Sequence, residues 1–380
     1  MSLRTSMSFG VDRSMDPRLA VSFAQAVAES GVIDEIMCFD QVQGWWHDSL
    51  HTVENSPSAA FSPDPNSFHE GFMLAAMIAA TTDIGVAISS DAIRRGPGEL
   101  MMAMMTLASA TEGRATLMLG AGEVKQVRPL GYKRSEGLAR LEDFFQLRER
   151  FMNADGPFDF AGNHWNMKGA WLGATRPYGP KILAMGGGPI LLDLATKYAD
   201  GITTVVPMVF SHIEDWESYI KSTDQQLEDN GRDPDEFDYS IWVPCLLHED
   251  PARLEQAYDN PLIRTVAAVF GRLNQRDWAR EGLPPVFPED WHYALKYIPA
   301  NQTAEEAKDV ADRTTPAMVQ KGLMCGSPDE IAERVKPWVE AGANHVMFFD
   351  IMSLVLPIEE AMTAGQRSID ASRRLKEIAG

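Results

Sequence analysis

The residues best suited to chemistry in this chain fall into four short segments, each directly after a run of apolar residues. Gly120-Ala121-Gly122-Glu123 follows Ala115-Thr116-Leu117-Met118-Leu119. Glycines in such a place offer backbone N–H groups to an anion and leave room above them for a flat ring. Glu123 adds an ionisable group able to donate a proton. Gly186-Gly187-Gly188-Pro189 follows Lys181–Met185 and opens a helix, where free amides and the helix dipole favour a phosphate. A tight strand-to-helix turn accounts for the same residues. Asp40-Gln41 precedes Gly44-Trp45-Trp46-His47, a carboxylate beside aromatic rings that can orient a planar heterocycle and a polar substrate; a capping Asp reads the same way. Ile88-Ser89-Ser90-Asp91-Ala92-Ile93-Arg94-Arg95-Gly96-Pro97 combines small residues that admit a ring with Arg94. Arg94 suits a carboxylate or phosphate, or a salt bridge that organises the rim.

Other candidates carry less. His47 and His51 have i, i+4 spacing with Asp48 between them, but no H-E-x-x-H pattern or third ligand accompanies them, so no metal is expected. Met101, Met102, Met104 and Met105 read as adaptable helix core. No G-x-S-x-G elbow, phosphate-binding P-loop or Cys–His signature occurs.

The elements that must position these segments alternate along the chain. Strands are expected at 7–11, 34–39, 84–88, 115–119, 181–185, 201–205, 239–243 and 345–349, with helical patterns between them such as Leu138 to Phe151, Pro189 to Tyr198 and Pro328 to Glu340. The strand runs are continuously apolar, as in parallel strands buried on both faces. Eight βα repeats predict an α/β fold, a (β/α)8 TIM barrel, in a single domain spanning 1–380. A doubly wound open sheet is the alternative, disfavoured by the lack of G-x-G-x-x-G after the first strand. Insertions of about 41–70 and 249–326 follow the second and seventh strands, at the C-terminal face. They are expected to enclose a substrate, with decoration or an oligomer contact as the other reading.

Composition narrows the function classes. A net charge of −20 disfavours nucleic-acid and anionic-membrane partners, which need clustered Lys and Arg. Cys38, Cys245 and Cys325 lie far apart without C-x-x-C spacing, which suits a reducing cytoplasm. The N-terminal residues are polar with no signal-peptide pattern, and the most apolar stretch, about Phe72 to Ala80, is too short to span a bilayer.

Together the segments resemble the luciferase-like monooxygenase superfamily, especially its deazaflavin-dependent branch. The strongest match runs from Arg94-Arg95-Gly96-Pro97 through an Ala/Met-rich helix and Gly113-Arg114 to Gly120-Ala121-Gly122-Glu123, and order and spacing together are far more specific than any one motif. Within that branch the chain looks most similar to phthiodiolone-type ketoreductases. The resemblance implies coenzyme F420 as cofactor, with FMN as the alternative, a small-molecule substrate and a homodimer. It implies that Asp40, Ala87, Ile88, Gly120, Ala121, Gly122, Glu123, Gln126, Gly186, Gly187 and Gly188 hold the cofactor. It further implies a non-prolyl cis peptide at Ala87-Ile88 backing the ring. Glu123 is expected to be the acid, with Asp40, Trp45 and His47 shaping or assisting catalysis. Gln41 stands where several members carry an acid/base histidine, and Met118 replaces a common glycine. The phosphate-binding Lys and Arg set of the sugar-phosphate dehydrogenases is matched only by Lys321, so glucose 6-phosphate is not expected. Three functions follow: an F420-dependent oxidoreductase moving a hydride between deazaflavin and a carbonyl or alcohol, an FMN-dependent monooxygenase, or a non-enzymatic ligand-binding barrel.

Overall fold

The apolar runs become the strands of a closed parallel barrel: β1 (Arg4–Phe9), β2 (Glu35–Phe39), β3 (Gly85–Asp91), β4 (Ala115–Gly120), β5 (Lys181–Met185), β6 (Gly201–Val205), β7 (Asp238–Leu247) and β8 (His345–Asp350). The computed structural model describes residues 2–10 and 12–380. Each strand pairs in parallel with the next, β6 continues to β7 and β8 returns to β1, so the ring closes. The fold is the (β/α)8 barrel. Both faces of its strands are buried, which is why the runs are continuously apolar. Met37, Ala87, Met118, Leu183 and Met347 fill the lumen. Their sequence neighbours Cys38, Ile88, Leu117, Ile182 and Val346 turn outward into the helical shell.

The strand N-terminal end of the barrel is polar. Arg4 and Lys181 donate to one Asp238 oxygen at 2.6 and 2.7 Å, and Thr116 donates to Glu35 at 2.8 Å. Buried His345 lies between the Ser6 and Ser240 hydroxyls, at 3.0 and 3.2 Å. This network moves the first strand: it begins at Arg4, not Met7, because its inward positions are polar and carry no apolar signal. The expected strand also included Val11, which lies outside the described residues.

At the opposite end, Phe39, Met185, Trp242 and Phe349 pack on the lumen cluster and floor the barrel mouth. Phe39 meets Trp242 and Phe349 edge to face, with ring centroids 5.8 and 5.6 Å apart. The two insertions meet above this floor. Trp46 and Leu50 of the first pack with Leu262 and Ala307 of the second, and Asn260 Nδ2 donates to the Asn55 carbonyl at 2.8 Å. β7 is a forked strand: Asp238–Trp242 pair with β6, whereas Cys245–Leu247 pair with a short strand, Met324–Gly326, at the end of the second insertion. A hairpin, Phe158–Ala161 with Asn166–Ala170, lies between β4 and β5 and was not anticipated. Among the described residues, no helix is long and apolar enough to cross a membrane.

Candidate active site

β4 delivers the central segment. Gly120 ends the strand, and a Cβ there would stand 3.2 Å from Met185 Cε and 3.3 Å from the Met185 carbonyl. Gly122 takes φ +86°, a left-handed conformation that glycine adopts without strain. The chain then turns into a short helix, Val124–Val127, with Glu123 at its N-cap. Glu123 Oε2 lies 3.3 Å from the Lys125 ammonium. Half-buried Tyr293 stands near Glu123; burial first and this carboxylate second push the phenol well above its usual range. Arg134 adds positive charge nearby, and burial first and Arg134 second hold His292 below its usual range.

Trp45 reaches the same place from the loop after β2. Its ring stacks under the Lys125 ammonium, 3.3 Å from the centroid, and packs on Phe270 at 3.9 Å. Tyr297 donates to the Trp45 carbonyl at 2.8 Å. Gln126 clamps the loop: its carbonyl accepts from the Val42 and Gln43 amides at 2.6 and 3.2 Å, and its amide returns a bond to the Gln43 carbonyl. The structure therefore unites Glu123, Trp45 and Gln126.

His47 is elsewhere. Its Nδ1 contacts the Ser49 hydroxyl at 2.8 Å and accepts from the Ser49 amide, capping a local turn, while His51 bonds the Ser62 carbonyl. Ala87 and Ile88 are fully buried in mid-strand. Their peptide is trans, and among the described residues the cis bond is Val206-Pro207. The expected cis bulge is thus corrected: β3 keeps regular register with β2 and β4 through both residues.

Asp40 is 7% exposed, with its oxygens taken by Ser90 at 2.6 Å, Arg95 at 3.1 and 3.2 Å, and Arg94 at 3.1 Å. Arg94 also binds Asp91, so the salt-bridge reading of this arginine describes the rim. Burial alone would raise the Asp40 carboxyl, but Arg95, Arg94 and Ser90 outweigh it and hold the group below the usual carboxylate range. Asp40→Asn should lower stability by about 2–4 kcal/mol at pH 7, because it leaves two guanidinium groups short of a counter-charge. With a folded pKa below the unfolded one, this stabilisation is full above the unfolded carboxylate range and lost as pH falls through the folded value. Thermal melts should show a gap between wild type and variant that is constant from about pH 6 to 8 and narrows below about pH 4.

Gly186, at φ +149°, leaves β5, and Gly187 passes so close to Val209 that a Cβ would meet Cγ1 at 2.4 Å. Gly188 is exposed with open space at its Cβ position, and the helix that follows, Pro189–Tyr198, has no side-chain cap. The first turn of this helix therefore presents free amides at the rim.

Sequence reasoning missed Lys125 and Asp350. A lysine reads by default as solvated surface, yet Lys125 is 1% exposed. Its signal was the neighbouring sequence, Val124-Lys125-Gln126-Val127, in which every residue is buried. Asp350 ends β8, and burial pushes its carboxyl up to about 7 despite amide bonds from Met352 and Leu247. A cleft of about 940 Å³ lies on the second insertion. Second-insertion residues such as Trp291, Tyr297 and Arg313 line it, and Val124 and Arg128 connect it to the Glu123 helix.

Comparison with known proteins agrees with this architecture. The family model for luciferase-like monooxygenases matches residues 55–345. A phthiodiolone/phenolphthiodiolone dimycocerosates ketoreductase from Mycobacterium bovis is 24% identical over 378 residues, 97% of each chain. An F420-dependent glucose-6-phosphate dehydrogenase from Gordonia bronchialis is 22% identical over 343 residues, covering 88% of this chain and 87% of that protein. Among solved structures, an F420-dependent secondary alcohol dehydrogenase in complex with an F420-acetone adduct superposes with a TM-score of 0.72 at 17% identity, covering 98% of this chain and 100% of that one.

Proposed function

Since the chain belongs to the luciferase-like monooxygenase family, we propose that it is an F420-dependent oxidoreductase acting between a small carbonyl compound and its alcohol. The observation that carries this reading is the meeting of Glu123 and Trp45 beside the glycine turn at the barrel mouth. The residues present fit a deazaflavin. Gly120 and Gly122 carry no side chain to project from the turn, and the uncapped helix start at Gly188, with nothing within 4 Å of its Cβ position, suits a phosphate-bearing tail. The names of the relatives, a ketoreductase and F420-dependent dehydrogenases, point the same way.

When bound, deazaflavin supplies or accepts the hydride. The chain's own residues do the rest. Gly120, Ala121 and Gly122 line the ring's place, Gly186 to Gly188 the tail's, and Trp45 with Tyr293 walls the mouth and excludes water. In carbonyl reduction Glu123 delivers a proton to the substrate oxygen; in alcohol oxidation it receives one. Asp40 acts on the site through Arg94 and Arg95, by fixing the rim. A homodimer in the cytoplasm is the expected setting, and the oligomeric state is read directly by light scattering.

The test is a titration of apoprotein with F420 and, separately, FMN, followed by an anaerobic screen of ketones and secondary alcohols. Tight F420 binding with oxygen-independent turnover is expected. FMN binding with oxygen-dependent turnover would overturn the reading in favour of a monooxygenase.

A further inference from the structure

Lys125 is the residue at the candidate site that needs a reason to be there. Its ammonium is buried and held by three unlike partners: Glu123 Oε2 at 3.3 Å, the Gln43 carbonyl at 3.2 Å, and the Trp45 ring face at 3.3 Å from the centroid. Burial of a lone ammonium is costly, and a methionine or leucine would fill the same volume without that cost. Glu123 at rest is one half of an ion pair, so a proton that leaves through Glu123 must be supplied to it. Gln41 brings no second titratable group. Tyr293, the other proton-bearing neighbour of Glu123, holds its proton more tightly than an ordinary phenol.

We propose that Lys125 stores the proton of the reaction and passes it to the substrate oxygen through Glu123. The inference deepens the oxidoreductase reading and rests on it for its kinetic consequence. In carbonyl reduction the hydride reaches carbon and the C=O π pair moves to oxygen. A proton passes from the Lys125 ammonium to the Glu123 carboxylate and from there to that oxygen, and the neutral amine regains its proton from water. Lys125 does not touch the substrate and is a positioning and proton-supplying residue.

The surroundings set a usable acidity. Burial lowers Lys125 to about 8, with Arg94 acting in the same direction, while Glu123 raises it. Arg134, His292 and Tyr293 also interact electrostatically with Glu123. The lysine is therefore charged at neutral pH yet gives up its proton far more readily than a free lysine.

Two variants separate proton supply from placement. Methionine keeps length and burial without charge, and arginine keeps the charge but does not release a proton. Wild-type kcat/KM for carbonyl reduction should fall above about pH 8. Both K125M and K125R should lose roughly 100-fold at pH 7 and lack that limb. Rescue by K125R, or a wild-type profile without a limb between about pH 7 and 9, would overturn the proposal. An apoprotein readout keeps this apart from the cofactor reading. With ¹³Cε-labelled lysines, one resonance absent from K125M should titrate near 8, and E123Q should move its midpoint down by removing the stabilising carboxylate. If no cofactor binds, the oxidoreductase reading fails alone; if that resonance does not titrate near 8 or ignores E123Q, the Lys125 proposal fails.

Discussion

Glu123→Gln is expected to reduce kcat for the carbonyl or alcohol substrate by about 10²–10⁴-fold, the range of a lost general acid–base group. Glutamine preserves volume and an acceptor oxygen for Lys125, so Trp45 and the clamp made by Gln126 should remain in place. The Glu123 side chain is 22% exposed, and the swap should leave the melting temperature nearly unchanged. F420 affinity should stay within about threefold, because the isosteric swap leaves the neighbouring Gly120–Gly122 turn and the Gly186–Gly188 helix start in place. The informative result is thus a split: binding intact, chemistry lost. Fluorescence titration and single-turnover kinetics on the same preparation read both halves. Unchanged turnover with cofactor still bound would remove Glu123 from the mechanism.

Gly137→Ala is expected to destabilise the protein by about 2–4 kcal/mol and to weaken cofactor binding together with it. Helix propensity alone gives the opposite sign. Gly137 starts the helix Gly137–Asn153 with φ −61°, and alanine in a helix is favoured over glycine by roughly 0.5–1 kcal/mol. Sterics decide otherwise. A Cβ at Gly137 would stand 1.9 Å from the Ala121 carbonyl oxygen and 2.8 Å from its carbon. That carbonyl cannot retreat easily, because Gly120 O accepts from the Ala92 amide at 3.1 Å and β4 is paired on both edges. The strain therefore falls on the Gly120–Gly122 turn. Gly98→Ala is the control: it also lies early in a helix, Pro97–Ala110, with nothing within 4 Å of its Cβ position. It should be neutral or stabilising by up to about 1 kcal/mol. Chemical denaturation of both variants checks the pair.

These cases show where the sequence was readable. Strands with apolar residues on both faces announced themselves, because Met37 and Cys38 or Ala87 and Ile88 are buried for different reasons but read alike. β1 was misplaced because Arg4 and Ser6 belong to a polar layer, and polar inward residues carry no periodic signal. The Phe158–Ala161 hairpin was missed although Phe158 and Phe160 alternate with polar neighbours, since four residues are too few to separate from chance. At the site, Glu123 and Trp45 could be chosen by type and position. The choice between ligand and ion pair for Arg94 could not, because Asp40 and Asp91 approach it only once β2 and β3 lie side by side. His47 was drawn in by adjacency to Trp45, yet successive loop residues point in different directions.

The fork in β7 joins the barrel to the long segment beyond it at one point. Leu247 and Gly326 stand opposite each other as strand partners, and the His248 amide donates to the Gly326 carbonyl at 3.0 Å. Some eighty residues of chain thus leave the barrel and return to the same point, as on a two-pronged plug. The barrel keeps its own ladder through Asp238–Trp242 whatever the departing segment contains. Changes in length or sequence within that segment therefore leave the pairing of Asp238–Trp242 with β6 untouched.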